Sequence, residues 1–435
     1  MNTIRSTVLK YLEQSVNVRD EEVRALLWSF AFFFFLLCAY YILRPVRDAM
    51  GIIDGTKNLP WLFTATFLTM LAIVPLFGSI VSRFPRRVFL PVVYWFFIFN
   101  LLLFYAALHY KPFEVYAART FFVWVSVFNL FVISVFWSSM ADMFSNEQGK
   151  RLFGFIAAGG TIGALTGPII SAGLAKTVGI PNLLLISAVL LMGALFCIRQ
   201  LLKITKMAQS NTSTGESVDE IIIGGGIFSG AVQAFRSPYL MGICIYFLIY
   251  TTLSTFLYLQ QADIIKSGFD SKEEHTQIFA IIDFAANALT LLTQFFITGR
   301  FVKRFGLGIA LSLVPIVSII GFAVLSVYPT LIVIIVFQAV RRASNYAISR
   351  PAREALFTVV TPEEKYKSKN FIDTAVYRGG DAVSSWARSG LKAMGASLAT
   401  ISLIAVPIAA IGCIVAILLG RKQNDLANST ETPNK

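Results

Sequence analysis

The sequence contains two copies of a short segment rich in arginine. The residues RPVRDA at positions 44–49 recur as RPAREA at positions 350–355, and both copies lie at the ends of long apolar runs. Arginine at membrane depth is costly unless it faces protein or a water-filled path. A guanidinium group in such a place can hold phosphate or carboxylate through two parallel hydrogen bonds. The repeated segments therefore predict binding sites for an anion that carries several charges.

Polar residues share one face of each helix that carries a copy of the segment. At 100° per residue, one arc of the first helix holds Tyr40, Arg44, Arg47 and Asp48. One face of the helix with the second copy holds Arg342, Tyr346, Ser349, Arg350 and Arg353, with Asn345 beside them. Both faces are candidates for binding the anion. The alternative, which stays open at this point, is that Arg44 and Arg353 only reach lipid headgroups at the two membrane surfaces.

Four further residues complete the set of expected substrate-binding side chains. Asp283 and Asn287 begin a polar stripe on another apolar helix, where a base or a ribose could bind. Glu354 follows Arg353 and is one of the carboxylates that could neutralise the arginines. Arg378 lies in or near a further apolar run. Hydrogen bonding between helices is the competing explanation for the stripe.

Composition places these segments in a membrane protein. Of the 435 residues, 56% are hydrophobic and 14% are charged, and the mean hydropathy is +0.70. An ordinary soluble fold is far less apolar. Apolar runs long enough to cross hydrocarbon start near residues 25, 60, 88, 115, 152, 182, 238, 277, 307, 331, 371 and 397. The sequence therefore predicts an all-α membrane protein with about twelve membrane-spanning helices.

The positive charge of the chain follows the connections between these runs. The formal net charge is +13, which could suggest a nucleic-acid partner. Lys and Arg gather in every second connection, however, so most of the charge reflects topology and no nucleic acid is expected. By the positive-inside rule both termini are cytoplasmic. The expected location is a bacterial inner (plasma) membrane, with lipids as partners.

A polar linker divides the apolar runs into two groups of six. Residues 209–219 contain almost nothing apolar, which is typical of a solvated and mobile connection. The predicted organisation is a cytoplasmic segment at 1–24, a six-helix bundle at 25–201, a cytoplasmic linker at 202–236, a second six-helix bundle at 237–420 and a cytoplasmic tail at 421–435.

The two groups of six also share a short pattern in equivalent connections. Residues 78–84 (GSIVSRF) match residues 299–305 (GRFVKRF), which indicates a parallel repeat of the kind found in transporters. Residues 78–87 resemble the cytoplasmic-loop signature of the major facilitator superfamily. In that signature Ser82 replaces an acidic residue and Pro85 replaces a glycine.

The fifth apolar run carries a second resemblance to the same superfamily. Gly154, Gly163 and Gly167-Pro168 are similar to its antiporter signature. Gly159, Gly163 and Gly167 also form a ridge of small residues that lets two helices approach closely. The resemblance implies the major facilitator fold, in which two six-helix bundles surround a central path.

A narrower resemblance covers both copies of the repeated segment. Residues 42–48 (ILRPVRD) are similar to a segment of the ATP:ADP translocases of the plastid and intracellular-bacterial type. Residues 349–357 (SRPAREALF), followed by Arg378-Gly379-Gly380, resemble the region that ends the tenth span and opens the eleventh in that family. Lysines in these segments are implicated in nucleotide transport there, and they correspond to Arg47 and Arg353. The resemblance thus implies a nucleotide substrate, and arginine keeps the charge that phosphate requires.

The expected function is exchange of nucleotides of the ATP/ADP type across the membrane by alternating access. The alternatives are a carrier of another organic anion, such as a sugar phosphate, and a membrane receptor that binds a nucleotide without moving it. An enzyme is not expected, because no nucleophile, base and metal constellation can be assembled. No cofactor or metal is expected either, since the cysteines lie within apolar runs without metal-ligand spacing. We expect a monomer.

Overall fold

The computed structural model describes residues 18–19, 22–81, 86–210, 236–296, 298–361, 364, 368–369 and 371–431. This part of the chain is built from helices and short connections and contains no strand, which confirms the all-α prediction. The helices are α1 (Val23–Gly51), α2 (Leu59–Val81), α3 (Arg86–His109), α4 (Glu114–Met143), α5 (Asn146–Val178), α6 (Ile180–Ser210), α7 (Pro238–Gly268), α8 (Lys272–Phe296), α9 (Thr298–Val327), α10 (Leu331–Ser344), α11 (Tyr377–Ala393) and α12 (Leu398–Glu431). After α10 the chain continues as a π-helix (Asn345–Ser349) and a short α-helix (Arg350–Ala355).

Within the described residues, 11 helices are long and apolar enough to cross a membrane. The predicted span near residue 371 is helical as well, but its composition sets it apart. It begins with a π-helix (Ile372–Val376) and continues as α11, which has 17 residues and includes Arg378, Asp381 and Arg388. Because of these charges, apolar length alone does not identify it as a span.

Residue contacts divide the chain into two compact units. The first unit comprises Met1–Ile53, Ile73–Asp219 and Ser271–Phe284, and the second comprises Asp54–Ala72, Glu220–Asp270 and Ala285–Lys435. A division at the linker alone would place 54–72 in the first unit and 271–284 in the second. The start of α2 instead packs with helices that follow the linker, and the start of α8 packs with helices that precede it.

Several predicted segments differ at their boundaries from the described helices. Helix α6 continues to Ser210, inside the predicted linker, and α12 continues to Glu431, inside the predicted tail. Residues 1–17 of the N-terminal segment, 82–85 of the signature loop, 211–235 of the linker and 432–435 of the tail lie outside the described residues.

In the first unit, the glycine ridge of α5 packs directly on the backbone of α1. A Cβ atom added at Gly159 would lie 2.5 Å from the carbonyl oxygen of Phe30, and one at Gly167 would lie 2.7 Å from that of Cys38. These distances are shorter than van der Waals contact, so only glycine allows this separation of the helices. The close approach expected from the small-residue spacing is therefore present.

The N-terminal end of α5 is joined to the start of α1 through Glu22. Ser145 and Gln148 form a capping box at the N-terminus of α5. Gln148 also donates to Glu22 over 2.9 Å, and Arg151 pairs with it over 3.0 Å. Burial by itself raises the pKa of Glu22, but hydrogen bonds from the Arg19 backbone, Gln148 and Arg151 hold that pKa below its ordinary value of 4.5. Glu22 is thus a charged anchor between two helices.

In the second unit, an ion-pair network and a tryptophan pair hold α7, α11 and the start of α2 together. The Asp263 carboxylate accepts from Arg388 over 2.6 Å and from Lys392 over 2.9 Å. The Trp61 and Trp386 rings lie edge to face with centroids 4.9 Å apart. Asp263 accounts for the charge of Arg388, which is 3% exposed.

Candidate functional site

The first copy of the repeated segment lies at the end of α1, within the first unit. Arg44 Nη1 lies 3.5 Å from Asp283 Oδ1 of α8. Arg47 Nη2 and Nε lie 2.5 Å and 2.9 Å from Oδ1 of its neighbour Asp48. Tyr40 is buried and packs near these groups on the same helix. In this first arginine cluster, each arginine therefore has a carboxylate partner.

The second unit contains a different arrangement, the second arginine cluster, in which Arg341 and Arg353 lie over the ring of Tyr250 of α7 and Arg342 follows Arg341 in sequence. The three arginines are 2%, 8% and 8% exposed. The Arg341 guanidinium carbon lies 5.2 Å from the Tyr250 ring centroid, and that of Arg353 lies 4.8 Å from it. Arg353 also lies 5.0 Å from the Phe247 ring centroid. Aromatic faces therefore contact both guanidinium groups.

The hydrogen bonds of Arg341 and Arg353 are few and long. Arg341 donates to Ser254 Oγ over 3.3 Å and to the Tyr250 carbonyl over 3.4 Å. Arg353 Nη2 donates to Asn345 Oδ1 over 3.4 Å. Among the described residues, neither arginine forms an ion pair with a carboxylate. Buried Nε of both residues and Nη1 of Arg353 have no hydrogen-bond partner there.

These open donors have an energetic consequence. A cation over an aromatic ring gains about 2 kcal/mol when it is desolvated. Leaving a buried donor without a partner costs about 1–3 kcal/mol, and more when the group is charged. The rings therefore offset only part of the cost of burying two guanidinium groups. An anion is the chemical partner that would remove the rest.

The π-helix after α10 explains why Arg341 and Arg353 reach the same tyrosine. In a continuous α-helix, residues twelve positions apart differ by about 120° around the axis. An i→i+5 helix turns by only about 80° per residue, so five such residues reduce the difference to about 20°. The π-helix Asn345–Ser349 lies between the two arginines. It thereby brings Arg353 onto the face of Arg341.

The π-helix changes which residues lie on the same face as Arg341. Arg342, Asn345, Ser349 and Arg353 are buried. Arg350 and Glu354 are exposed, and Glu354 pairs with Lys369 over 2.5 Å. The structure thus brings Arg353 together with Arg341 at one tyrosine ring and leaves Arg350 and Glu354 on the surface. Arg353 packs inside the unit, whereas the headgroup alternative suits Arg350.

The other predicted site residues occupy intermediate positions. Tyr346 and Asn287 are half-buried. Arg378 Nη1 lies 3.7 Å from Asp381 Oδ2 one turn away on α11. Arg341 was not expected in the site, since a uniform 100° per residue rotates it away from Arg353. The one signal in the sequence was its position near mid-depth beside Arg342.

Comparison with known proteins agrees with this architecture. The family model of the Major Facilitator Superfamily matches residues 25–385. The nucleoside transporter NupG is similar in structure, with a TM-score of 0.64, 11% identity and coverage of 91% of this chain and 99% of that chain. The POT family transporter PepTSo gives a TM-score of 0.63 at 13% identity, covering 94% of this chain and 99% of that chain.

A third similar structure is a bacterial homolog of the human lysosomal transporter Spinster, in an inward-facing and unoccupied conformation. Its TM-score is 0.58 at 13% identity, with 94% of this chain and 99% of that chain covered. No curated protein matches the chain. At these identities the similar structures show the fold alone, while the family model covers most of the sequence. The chain therefore belongs to the Major Facilitator Superfamily and is a multi-pass membrane transporter of that type.

Proposed function

We propose that this transporter carries phosphorylated organic anions and that nucleotides of the ATP/ADP type are its substrates. The observation that supports the proposal is the second arginine cluster. Arg341 and Arg353 are buried against one tyrosine ring, and the described residues provide neither with a carboxylate partner. Phosphate oxygens are suited to these open guanidinium donors.

The spacing of the two guanidinium groups favours a substrate with more than one anionic group. Both groups contact the ring of Tyr250, with centroid distances of 5.2 Å for Arg341 and 4.8 Å for Arg353. A chain of phosphates offers oxygens to both arginines at once. A singly charged anion would leave one of them without a partner. A diphosphate or triphosphate is therefore the better match to this cluster.

The first arginine cluster has a different role in the proposed mechanism. A phosphate that approached Arg47 in this conformation would have to displace Asp48, and one that approached Arg44 would compete with Asp283. Because a carboxylate must first be displaced, the net gain from binding phosphate is smaller here than at open guanidinium donors. We therefore assign the tighter hold on the substrate to the second cluster and a transient contact to Arg44 and Arg47.

The positive charge of the second arginine cluster supports exchange rather than one-way uptake. Uncompensated buried cations are costly, and a bound polyanion would neutralise them. A substrate-free carrier would therefore reorient slowly, and a loaded one would reorient faster. The glycines of α5, which resemble an antiporter signature, agree with this expectation.

The test is an exchange assay with the full chain in lipid vesicles. Vesicles preloaded with unlabelled ADP should take up labelled ATP much faster than empty vesicles, at a clamped membrane potential. Sugar phosphates and inorganic phosphate are tested as alternative internal substrates. Equal rates in loaded and empty vesicles would contradict exchange. Binding that saturates at the amount of protein, without accumulation, would indicate a receptor instead.

A further inference from the structure

A pair of buried glutamines lies on the two helices that form the second arginine cluster. Gln338 Nε2 of α10 donates to Gln261 Oε1 of α7 over 2.5 Å. The two residues are 6% and 4% exposed. Among the described residues neither amide has a further hydrogen bond. Each carboxamide offers two N–H donors and an oxygen with two lone pairs, so the pair retains donors and acceptors for a ligand.

The glutamine pair lies in line with the arginines. Gln338 precedes Arg341 by three residues, so the two side chains are neighbours on one side of α10. On α7, Gln261 follows Ser254, which accepts from Arg341, by seven residues or about 10 Å. The order along the helices is the glutamine pair, Arg341, Tyr250 and Arg353. A group attached to a polyphosphate at the arginines would thus reach the glutamines if it were about as long as a nucleoside.

We propose that Gln261 and Gln338 recognise the base of the substrate. This inference rests on the proposed function, because it takes the phosphates to be held by Arg341 and Arg353. A carboxamide presents a donor beside an acceptor, which is the pattern on the hydrogen-bonding edges of nucleobases, and glutamine binds adenine in this bidentate way in protein–DNA complexes. Pyrophosphate and inorganic phosphate have no such edge. The pair would therefore select nucleoside polyphosphates from other polyanions.

The experiment measures binding to the purified full-length protein with five probes: ADP, GDP, CDP, UDP and inorganic pyrophosphate. Wild type should bind one of the nucleoside diphosphates more tightly than pyrophosphate. Gln338→Met and Gln261→Met should weaken binding of the preferred nucleotide by about 5-fold or more, since a bidentate contact to a base discriminates to that extent. Binding of pyrophosphate should stay within about 2-fold, because the phosphate ligands are unchanged.

A neighbouring glutamine provides the control for a purely structural role. Gln260 is fully buried, accepts from Ser402 over 3.1 Å and lies next to Gln261 in sequence. Gln260→Met should lower thermal stability without changing the ratio of nucleotide to pyrophosphate affinity. Gln338→Glu keeps the size of the side chain but replaces a donor with an acceptor, so it should change the order of preference among the four bases.

The outcomes separate this inference from the proposed function. Equal wild-type affinity for pyrophosphate and all four nucleotides would overturn base recognition, as would a parallel loss of both kinds of probe in the Gln261 and Gln338 variants. Either result leaves the transport of phosphorylated anions in place. Failure of all five probes to bind wild type would contradict the proposed function itself and, with it, the role of the glutamines.

Discussion

Replacement of Arg353 by glutamine tests the proposed anion site at a buried arginine whose hydrogen-bond donors are only partly satisfied. Arg353→Gln removes a buried charge whose Nε and Nη1 have no hydrogen-bond partner among the described residues. A hydrogen bond to a charged group is worth about 1.5–3 kcal/mol, so affinity for ATP should fall about 10- to 150-fold. The fold loses a cation–π contact of about 1–2 kcal/mol but no longer buries guanidinium donors that lack hydrogen-bond partners among the described residues, so thermal stability should change little.

The same helix supplies a matched control for this substitution. Arg350 lies three residues earlier and is exposed, so Arg350→Gln should leave ATP affinity within about 2-fold of wild type. Arg353→Lys should be intermediate, because lysine keeps the charge and loses the planar fork. The assay is equilibrium binding of labelled ATP to purified protein, with uptake into preloaded vesicles alongside. If Arg353→Gln and Arg350→Gln bind and transport like wild type, Arg353 is not a phosphate ligand.

Two further predictions concern the first unit. Gly167→Ala should destabilise the protein by about 1–3 kcal/mol, because the added Cβ would lie 2.7 Å from the α1 backbone. Gly173→Ala, on the same helix with nothing within 4 Å, is the control, and a thermal-unfolding assay in detergent that found both variants equally stable would contradict the packing argument. Glu22 has a pKa below its ordinary value of 4.5, so its contribution to stability is present above that pH and is lost as the pH falls through the lowered value. Stability of Glu22→Gln should accordingly depend less on pH between about 5 and 3 than that of wild type, and identical pH profiles would show that the anchor is not electrostatic.

The fold was more predictable from the sequence than the site. The length of an apolar run reflects the thickness of the bilayer, so the runs located 11 of the membrane-spanning candidates. Helix α11 is too polar to be identified by apolar length alone. The spacing of Gly159, Gly163 and Gly167 also predicted a close approach between two helices, because a ridge of glycines lets the backbones of neighbouring helices come together. The site was less predictable because the π-helix Asn345–Ser349 interrupts the uniform rotation on which the face assignment of this helix depended, and residue types alone do not locate it.

Ion pairing within each copy of the repeated segment could not be read from residue types. Asp48 and Glu354 occupy equivalent positions after Arg47 and Arg353, and both are acidic. In the first copy the shorter carboxylate turns back to its neighbour and pairs with Arg47. In the second, the carboxylate is exposed and pairs with Lys369. The same sequence pattern thus gives a paired arginine in one copy and an arginine without a hydrogen-bonded carboxylate among the described residues in the other.

The difference between the two copies gives each a separate part in the proposed transport. An arginine with an adjacent carboxylate can accept a phosphate only by exchanging partners, so its affinity is low and its release is fast. Arg353 contacts the rings of Phe247 and Tyr250 and has no hydrogen-bonded carboxylate among the described residues, so a phosphate could reach it without displacing one. The first copy of the segment lies in the continuous helix α1, and the second copy follows a π-helix. The same sequence pattern would then supply a weak phosphate contact in the first copy and a strong one in the second. The weak contact would allow fast release of the phosphate, while the strong contact would provide most of the affinity.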